Sequence, residues 1–293
     1  MLSAAVFFAL MGAIIRLLRE QAPHISPFMI GTVRFAVGNL FVFAAFATGR
    51  SKARWVNWRW ILVRGVMGGI GTISYFWAIG EFGLARGTLF AATSTIFAAL
   101  FAIPILGERL SAGHWIAIAV AVAGMGMMCE VRGFTFTAKE LLGFSVGLTW
   151  GIAVVSVTKC RETDTSMNVF WSQCIFGLAF AVGPTVYERV LPSGYEWFLL
   201  LLIALLAIAG QLCMTSAYKY TGATYGSLVS LLNPVLATTI AIVIFAERPS
   251  WRFWVGAAMI LLPCVYLSLY PVRRRPGAVP AEVGLTGKGG GNG

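Results

Sequence analysis

Polar and aromatic side chains recur at helical spacing inside the apolar blocks of this 293-residue chain. The two sets are Thr72, Tyr75 and Ile79 in one block and Gln211, Met214 and Tyr218 in another. Residues three or four apart share one face of a helix. Hydroxyls and amides form hydrogen bonds and aromatic rings stack, which is binding chemistry rather than catalysis. The spacing therefore predicts that both faces line a cavity that binds a ligand.

Three further residues are candidates for the same cavity. Asn233 precedes Pro234, which lacks an N–H and frees the carbonyl of Ser230 for another partner. Ser94 is the matching residue earlier in the chain, and whether these polar groups bind a ligand or only neighbouring helices stays open. The indole of Trp150 could stack on a ligand and donate one hydrogen bond, or serve as an apolar filler.

Two arginines lie within apolar blocks, Arg34 and Arg64. A charge at the centre of a bilayer costs about 2.5–3.5 kcal/mol on insertion scales, and less where the side chain reaches an interface. Arg34 has two interpretations: it bonds carbonyls or an acid at a helix end, or it binds a substrate carboxylate. Arg64 is expected to be an interfacial anchor.

The acidic residues all fall at predicted helix ends, in loops or in the tail. They are Glu20, Glu81, Glu108, Glu130, Glu140, Glu162, Asp164, Glu188, Glu196, Glu247 and Glu282. Proton-coupled carriers usually hold a carboxylate inside the membrane. The distribution disfavours such coupling and leaves substrate-driven transport, exchange, or a relay through an acid at a helix end such as Glu81.

The composition restricts the class of protein. Hydrophobic residues make up 58% of the chain and charged residues 11%, where soluble domains carry about 25% charge. A soluble enzyme, a DNA-binding module and a receptor with a large ectodomain are excluded. The net charge of +11 arises in short loops, which indicates topology signals and lipid headgroup contacts rather than nucleic acid.

The cysteines, the histidines and the absence of known motifs from the sequence argue against metal, cofactor and catalytic sites. The five cysteines are scattered without a C-x-x-C motif, and His24 and His114 lie far apart in the sequence. No H-E-x-x-H or G-x-S-x-G motif and no paired intramembrane carboxylates occur. We expect no metal, no cofactor and no catalytic residues.

The apolar blocks are long enough to cross about 30 Å of hydrocarbon as helices. They cover residues 2–18, 27–48, 58–80, 84–106, 112–129, 141–158, 167–187, 195–217, 223–245 and 252–270. The fold class predicted is an all-α membrane protein with ten transmembrane helices. We expect the first block to be a helix rather than a cleaved signal peptide, and its shortness leaves open whether native residues precede Met1.

The chain resembles itself at a shift of 139 positions. Gly12, Gly38, Gly71 and Gly83 fall on glycines at 151, 177, 210 and 222. The predicted organisation is a five-helix repeat over residues 1–130, a second repeat over 139–270, and a disordered basic, glycine-rich cytoplasmic tail over 271–293. Because five is odd, the second repeat must cross the membrane inverted, as in many secondary transporters.

The shift also aligns Glu108-Arg109 with Glu247-Arg248. These pairs lie in turns between helices and are expected to stabilise them, with gating contacts as the alternative. Ser111 and Ser250 are predicted to cap the following helices.

Loop charges predict the orientation. Lys and Arg are more frequent on the side that carries the N-terminus, and the Arg273–Arg275 cluster follows the last helix. Both termini are therefore expected in the cytoplasm, with a bacterial-type inner membrane as the location.

Two segments carry a resemblance to a known family. GERLSAGHW (107–115), after the helix TLFAATSTIFAALFAIPIL, and its echo AERPSWRFW (246–254) resemble the EamA family of the drug/metabolite transporter superfamily. Arg34, in the segment PFMIGTVRFAVG, also resembles the pattern of this family. The resemblance covers about residues 5–270, and the doubled Glu-Arg pair is its most specific feature. The sequence departs from the common pattern in having Ala246 where the first repeat has Gly107.

The resemblance implies a ten-helix inverted-repeat carrier for small metabolites, often an exporter. Its central cavity would be lined largely by helices 1, 3, 4, 6, 8 and 9, and characterised relatives include exporters of aromatic amino acids and other amino-acid derivatives. The function predicted is a carrier of a small amphipathic metabolite, an amino acid or aromatic compound, with a membrane-embedded enzyme and a passive channel as alternatives. The expected partners are this substrate and the lipid bilayer, and the chain is expected to be monomeric or homodimeric.

Overall fold

The computed structural model describes residues 2–49, 52–106, 111–128, 138–161, 163–230 and 232–270. All regular secondary structure in these ranges is α-helical. The helices are α1 (Leu2–Gln21), α2 (Pro27–Ala47), α3 (Trp58–Phe82), α4 (Leu84–Ala92), α5 (Ser94–Leu106), α6 (Ala112–Met128), α7 (Ala138–Cys160), α8 (Ser166–Glu188), α9 (Gly194–Ser230), α10 (Leu232–Phe245) and α11 (Trp251–Leu269). The predicted tail, 271–293, lies outside the described residues.

The helices confirm an all-α membrane protein. Within the described residues, seven helices are long and apolar enough to cross a membrane, with α4 and α5 together forming one of them. Three shorter apolar helices begin at Ala112, Leu232 and Trp251. These ten apolar segments match the ten predicted blocks in order along the chain.

Two predicted boundaries are wrong. The block over 84–106 is interrupted at Thr93, where α4 ends and α5 begins. The break expected at residues 218–222 is absent, because α9 continues through them to Ser230; residue 231 lies outside the described residues, and α10 is described from Leu232. Discontinuous helices such as α4 and α5 are common near the binding sites of inverted-repeat transporters.

Side-chain caps fix several helix starts. The hydroxyls of Ser26, Thr165 and Ser250 each accept a hydrogen bond from the backbone N–H three residues on, which satisfies a group that the first helical turn leaves unpaired. The predicted cap at Ser250 is thus confirmed. Ser111 directly precedes α6, and its hydroxyl is in hydrogen-bond contact with the ring Nδ1 of His114.

The 139-residue shift relates two sets of helices, α1–α6 and α7–α11, and contacts between the sets occur in equivalent pairs. Helix α3 packs on α7, and their equivalents under the shift, α9 and α1, pack on each other. The same exchange relates the contact of α5 with α7 to that of α10 with α1. Helices α2 and α8 pack on each other, as do α6 and α11, and each pair consists of equivalent helices. A two-fold relation between the sets generates this pattern.

Glycines allow the closest of these contacts. A Cβ atom on Gly69 of α3 would lie 2.7 Å from the Cα of Gly177 in α8, so the two backbones touch directly. A Cβ on Gly38 would lie 2.7 Å from Cys174 Sγ, and one on Gly177 would lie 2.5 Å from Phe35. Small residues let helices approach closely in lipid, and here they hold α2 and α3 against α8.

Candidate functional site

Tyr75 and Trp150 form the aromatic part of the candidate site. Tyr75 lies on α3 and is 1% exposed, and its ring centroid is 5.1 Å from that of Trp150 on α7. Gly71 permits this approach, because a Cβ there would lie 2.4 Å from the indole. The Tyr75 hydroxyl is buried and has no hydrogen-bond partner within the described ranges. The structure therefore brings two predicted site residues together and leaves one polar atom unsatisfied.

Thr72 is buried on the same helix but faces α8. Its hydroxyl oxygen accepts a hydrogen bond of 3.0 Å from Gln173 Nε2, which also donates to the carbonyl of Gly68 at 3.1 Å. Arg64 Nη2 donates to Gln173 Oε1 at 2.9 Å. The expectation that Arg64 anchors at an interface is wrong, because a buried amide provides an acceptor inside the bundle.

Sequence reasoning missed Gln173. A signal was present: Gln173 is a polar side chain in an apolar block, and such residues are expected to face the bundle interior. Its position also aligns with Arg34 under the 139-residue shift.

Arg34 is buried on α2 at 8% exposure. Its guanidinium carbon lies 5.3 Å from the ring centroid of Phe35 and 5.7 Å from that of Phe76, so aromatic faces partly compensate its charge. In the described part of the chain, Nη1 has no hydrogen-bond partner. Within the described residues Arg34 bonds neither a carbonyl nor an acid, which were the partners expected of a structural role.

Ser94 is the first residue of α5 rather than a residue inside a longer helix. Asn233 and Pro234 lie near the start of the described part of α10, and residue 231 before it lies outside the described residues. The prediction that Pro234 frees the carbonyl of Ser230 near mid-span therefore stays a prediction. Asn233 is half-buried, and its Oδ1 has no hydrogen-bond partner among the described residues.

The predicted face on the second repeat is only partly described. Gln211 and Met214 are half-buried on α9, and the side chain of Tyr218 lies outside the described residues. Among the described side chains, Arg34, Thr72, Tyr75 and Trp150 cluster around α3. No hydrogen bond joins this cluster to Ser94, Gln211 or Asn233 in that part of the chain.

A narrow cavity lies beside the cluster, between α2, α8 and α9. Its volume is about 10 Å³, room for one water molecule. The lining residues are Arg34, Phe35, Phe170, Gln173, Cys174, Ala207 and Ile208.

A wider cleft of about 260 Å³ opens at one end of the bundle. We call it the Glu247 cleft; its lining includes Arg16, Glu81, Gly83, Arg86, Glu247 and Arg248. Glu247 Oε1 accepts a hydrogen bond of 3.0 Å from the backbone N–H of Leu84 and lies 3.8 Å from Arg16 Nε. The carboxylate thus caps α4, at the positive end of that helix.

The Glu247 contact joins the two halves of the chain. Gly83 has a φ of 87°, and a Cβ there would lie 2.5 Å from Glu247 Oε1, so glycine permits both the turn and the contact. The gating alternative for this Glu-Arg pair therefore has a structural basis. Glu108 and Arg109 lie outside the described residues.

The acids that the structure describes lie near helix ends or in connections. Glu81, the relay candidate, is in the last turn of α3 and pairs with Lys139 at 2.6 Å. Within the described ranges no group of three His, Cys, Asp or Glu residues could hold a metal ion.

The chain is similar to a known transporter family, to named transporters and to a solved structure. The EamA-like transporter family matches residues 1–129 and again residues 137–269. The pseudopaline exporter CntI of Pseudomonas aeruginosa is 24% identical, over 90% of this chain and 93% of the exporter. A riboflavin transporter of Vibrio cholerae is 20% identical, over 94% and 93%. A solved crystal structure aligns with 91% of this chain and 96% of its own at a TM-score of 0.62 and 20% identity, which is a likeness of fold alone.

Proposed function

Because the chain belongs to the EamA-like transporter family, we propose that it is a carrier that moves a small amphipathic metabolite across the membrane by alternating access. The observation that carries the mechanism is the exchange of packing partners between the two sets of helices. Two inverted repeats can rock around a shared site and open it to either side in turn.

The proposed substrate is an amino acid or an aromatic compound, and the proposed direction is export. Tyr75 and Trp150 offer ring faces, and Asn233 Oδ1 and the Tyr75 hydroxyl have no hydrogen-bond partner in the described part of the chain. A relative over nearly the whole chain is named an exporter. We place both termini in the cytoplasm of a bacterial-type cell and assign residues 1–130 and 139–270 to the two inverted repeats.

The test is uptake by sealed proteoliposomes, with a panel of labelled amino acids and aromatic metabolites. A carrier gives an initial rate that saturates with substrate concentration. Product formation in place of uptake would favour the alternative of a membrane-embedded enzyme.

Uptake should persist without a proton gradient, because the acids that the structure describes lie near helix ends or in connections. The measurement compares uptake with and without a protonophore. Strict dependence on the pH gradient, abolished in Glu81→Gln, would show that Glu81 relays protons.

Replacing Asn233 should weaken substrate binding with little effect on yield. Asn233→Ala removes a hydrogen bond worth about 0.5–1.5 kcal/mol, which is roughly 2- to 12-fold in affinity. Substrate affinity of the purified protein is the measurement. Thr239→Ala, an exposed position on the same helix that bonds only its own backbone, is the matched control. Lost expression with normal affinity in the surviving protein would mean that Asn233 bonds another helix.

Removing the Glu247 carboxylate should loosen the start of α4. Glu247→Ala takes away a charged acceptor worth about 1.5–3 kcal/mol, so amide exchange at Leu84 should accelerate roughly 10- to 150-fold. Hydrogen–deuterium exchange of the reconstituted protein measures this. Glu20→Ala, which removes the other carboxylate paired with Arg16, should leave Leu84 unchanged. If Leu84 exchanges at the same rate in Glu247→Ala and in Glu20→Ala, Glu247 does not hold the start of α4.

A further inference from the structure

We propose that Arg34, Gln173 and Arg64 form a binding site for one small monovalent anionic group, either a free halide or the carboxylate of the transported compound. The second source rests on the proposed function. Its cavity lies between α2, α8 and α9, beside the cluster of Tyr75 and Trp150, and Arg64 contacts Gln173 from α3.

The first observation that supports this site is the buried cation of Arg34. Arg34 is 8% exposed, and its buried Nη1 has no hydrogen-bond partner among the residues that the structure describes. The residue lines the narrow cavity together with Gln173 and Cys174. A buried guanidinium is costly unless a negative charge and hydrogen-bond acceptors accompany it, and an anion in this cavity provides both.

Arg64 adds a second positive charge behind Gln173, although it does not itself line the cavity. It is 9% exposed, donates to Gln173 Oε1 at 2.9 Å, and its Nε has no partner among the described residues. Gln173 is neutral, so it orients Arg64 without balancing the charge. Across the described part of the chain, neither arginine has a carboxylate within ion-pair distance; the ion pairs there involve Arg16, His24 and Lys139.

The repeat indicates how deep this cavity lies in the membrane. Arg34 and Gln173 are equivalent positions under the 139-residue shift, as are Phe35 and Cys174, and all four line the cavity. Their supporting glycines, at 38 and 177, contact Cys174 and Phe35 respectively. The axis that relates inverted repeats lies in the membrane plane, so a cavity lined by both members of each pair lies near the midplane.

The size of the cavity selects the ligand. A volume of about 10 Å³ holds one water-sized object, which suits a chloride ion or one carboxylate oxygen. A guanidinium matches a carboxylate in geometry and binds a halide by charge. Larger polyatomic anions do not fit unless the helices separate.

The first test measures thermal unfolding of the purified full chain in detergent, with chloride or formate against equal concentrations of gluconate. A ligand that binds only the folded state raises the unfolding midpoint, so chloride or formate should raise it and gluconate should not. Arg34→Gln should weaken the apparent anion affinity roughly 10-fold or more. Arg59→Gln, an exposed arginine against Trp58, should respond as the wild type does. An undiminished response in Arg34→Gln overturns the proposal.

A second pair of variants keeps the proposal testable if Arg34→Gln does not fold. Cys174 is 2% exposed and lines the cavity. Cys174→Asp supplies the missing negative charge, so its midpoint should no longer respond to chloride. Cys174→Asn has the same shape without the charge and should keep the response. Equal responses in the two variants overturn the proposal.

Uptake assays distinguish the two sources of the anion. Competitive inhibition of uptake by chloride and formate indicates a substrate carboxylate, and uptake that requires chloride indicates a resident halide.

The proposal and the carrier function also fail separately. An Arg34-dependent response to anions without saturable uptake contradicts the carrier alone, whereas saturable uptake with an undiminished response in Arg34→Gln contradicts the anion site alone.

Discussion

Gly69→Leu should prevent this protein from folding. A Cβ on Gly69 would lie 2.7 Å from the Cα and 3.1 Å from the backbone nitrogen of Gly177, and backbone atoms cannot rotate away as a side chain can. Overpacking costs about 1–3 kcal/mol, occasionally more. A leucine here must push α3 from α8, so we expect a cost at or above the upper end of that range. The measurement is the fraction of detergent-extracted protein that elutes as a monodisperse species.

Gly183→Leu is the matched control. It lies on α8, the same helix as Gly177, and a Cβ there would meet nothing within 4 Å. This variant should extract and elute as the wild type does. Normal elution of Gly69→Leu would mean that α3 and α8 do not touch at this point, and the arrangement of Arg64 and Gln173 would then need revision.

Cysteine labelling from outside the cell should modify Ser250→Cys and leave Ser111→Cys unmodified. The two serines occupy equivalent positions of the proposed repeats, and five predicted membrane spans lie between them, so we expect one serine on each side of the membrane. Both directly precede a helix, at α11 and α6. Loss of the Ser250 cap costs about 0.5–2 kcal/mol, whereas the Ser111 hydroxyl contacts the ring of His114.

A membrane-permeant reagent is the control for the labelling, because it should modify both variants. The reverse pattern with the impermeant reagent would place the termini outside. Labelling of both serines from the same side would contradict the inverted arrangement itself.

The helices were predictable because hydrocarbon thickness and apolar block length set their positions directly. The interruption at Thr93 was harder to predict. The chain around Thr93 reads AATST, without glycine or proline, so no local signal marks the break there.

The polar partners in the bundle were not predictable in detail. Arg64 and Gln173 are 109 residues apart, and Glu247 and Leu84 are 163 apart, so only packing brings them together. The internal repeat offered partial guidance, because it relates Arg34 to Gln173. It could not predict that Thr72 bonds α8, since its repeat partner, Gln211, has no equivalent contact in the described residues.

The most direct test of a two-repeat carrier is counterflow in proteoliposomes. Vesicles preloaded with unlabelled substrate are diluted into a trace of labelled substrate, without any ion gradient. Alternating access predicts that the label accumulates transiently above its outside concentration, because each outward-moving unlabelled molecule returns the site for an inward-moving labelled one. A label that rises only to its outside concentration, at the same rate in loaded and empty vesicles, would show a channel and contradict the account.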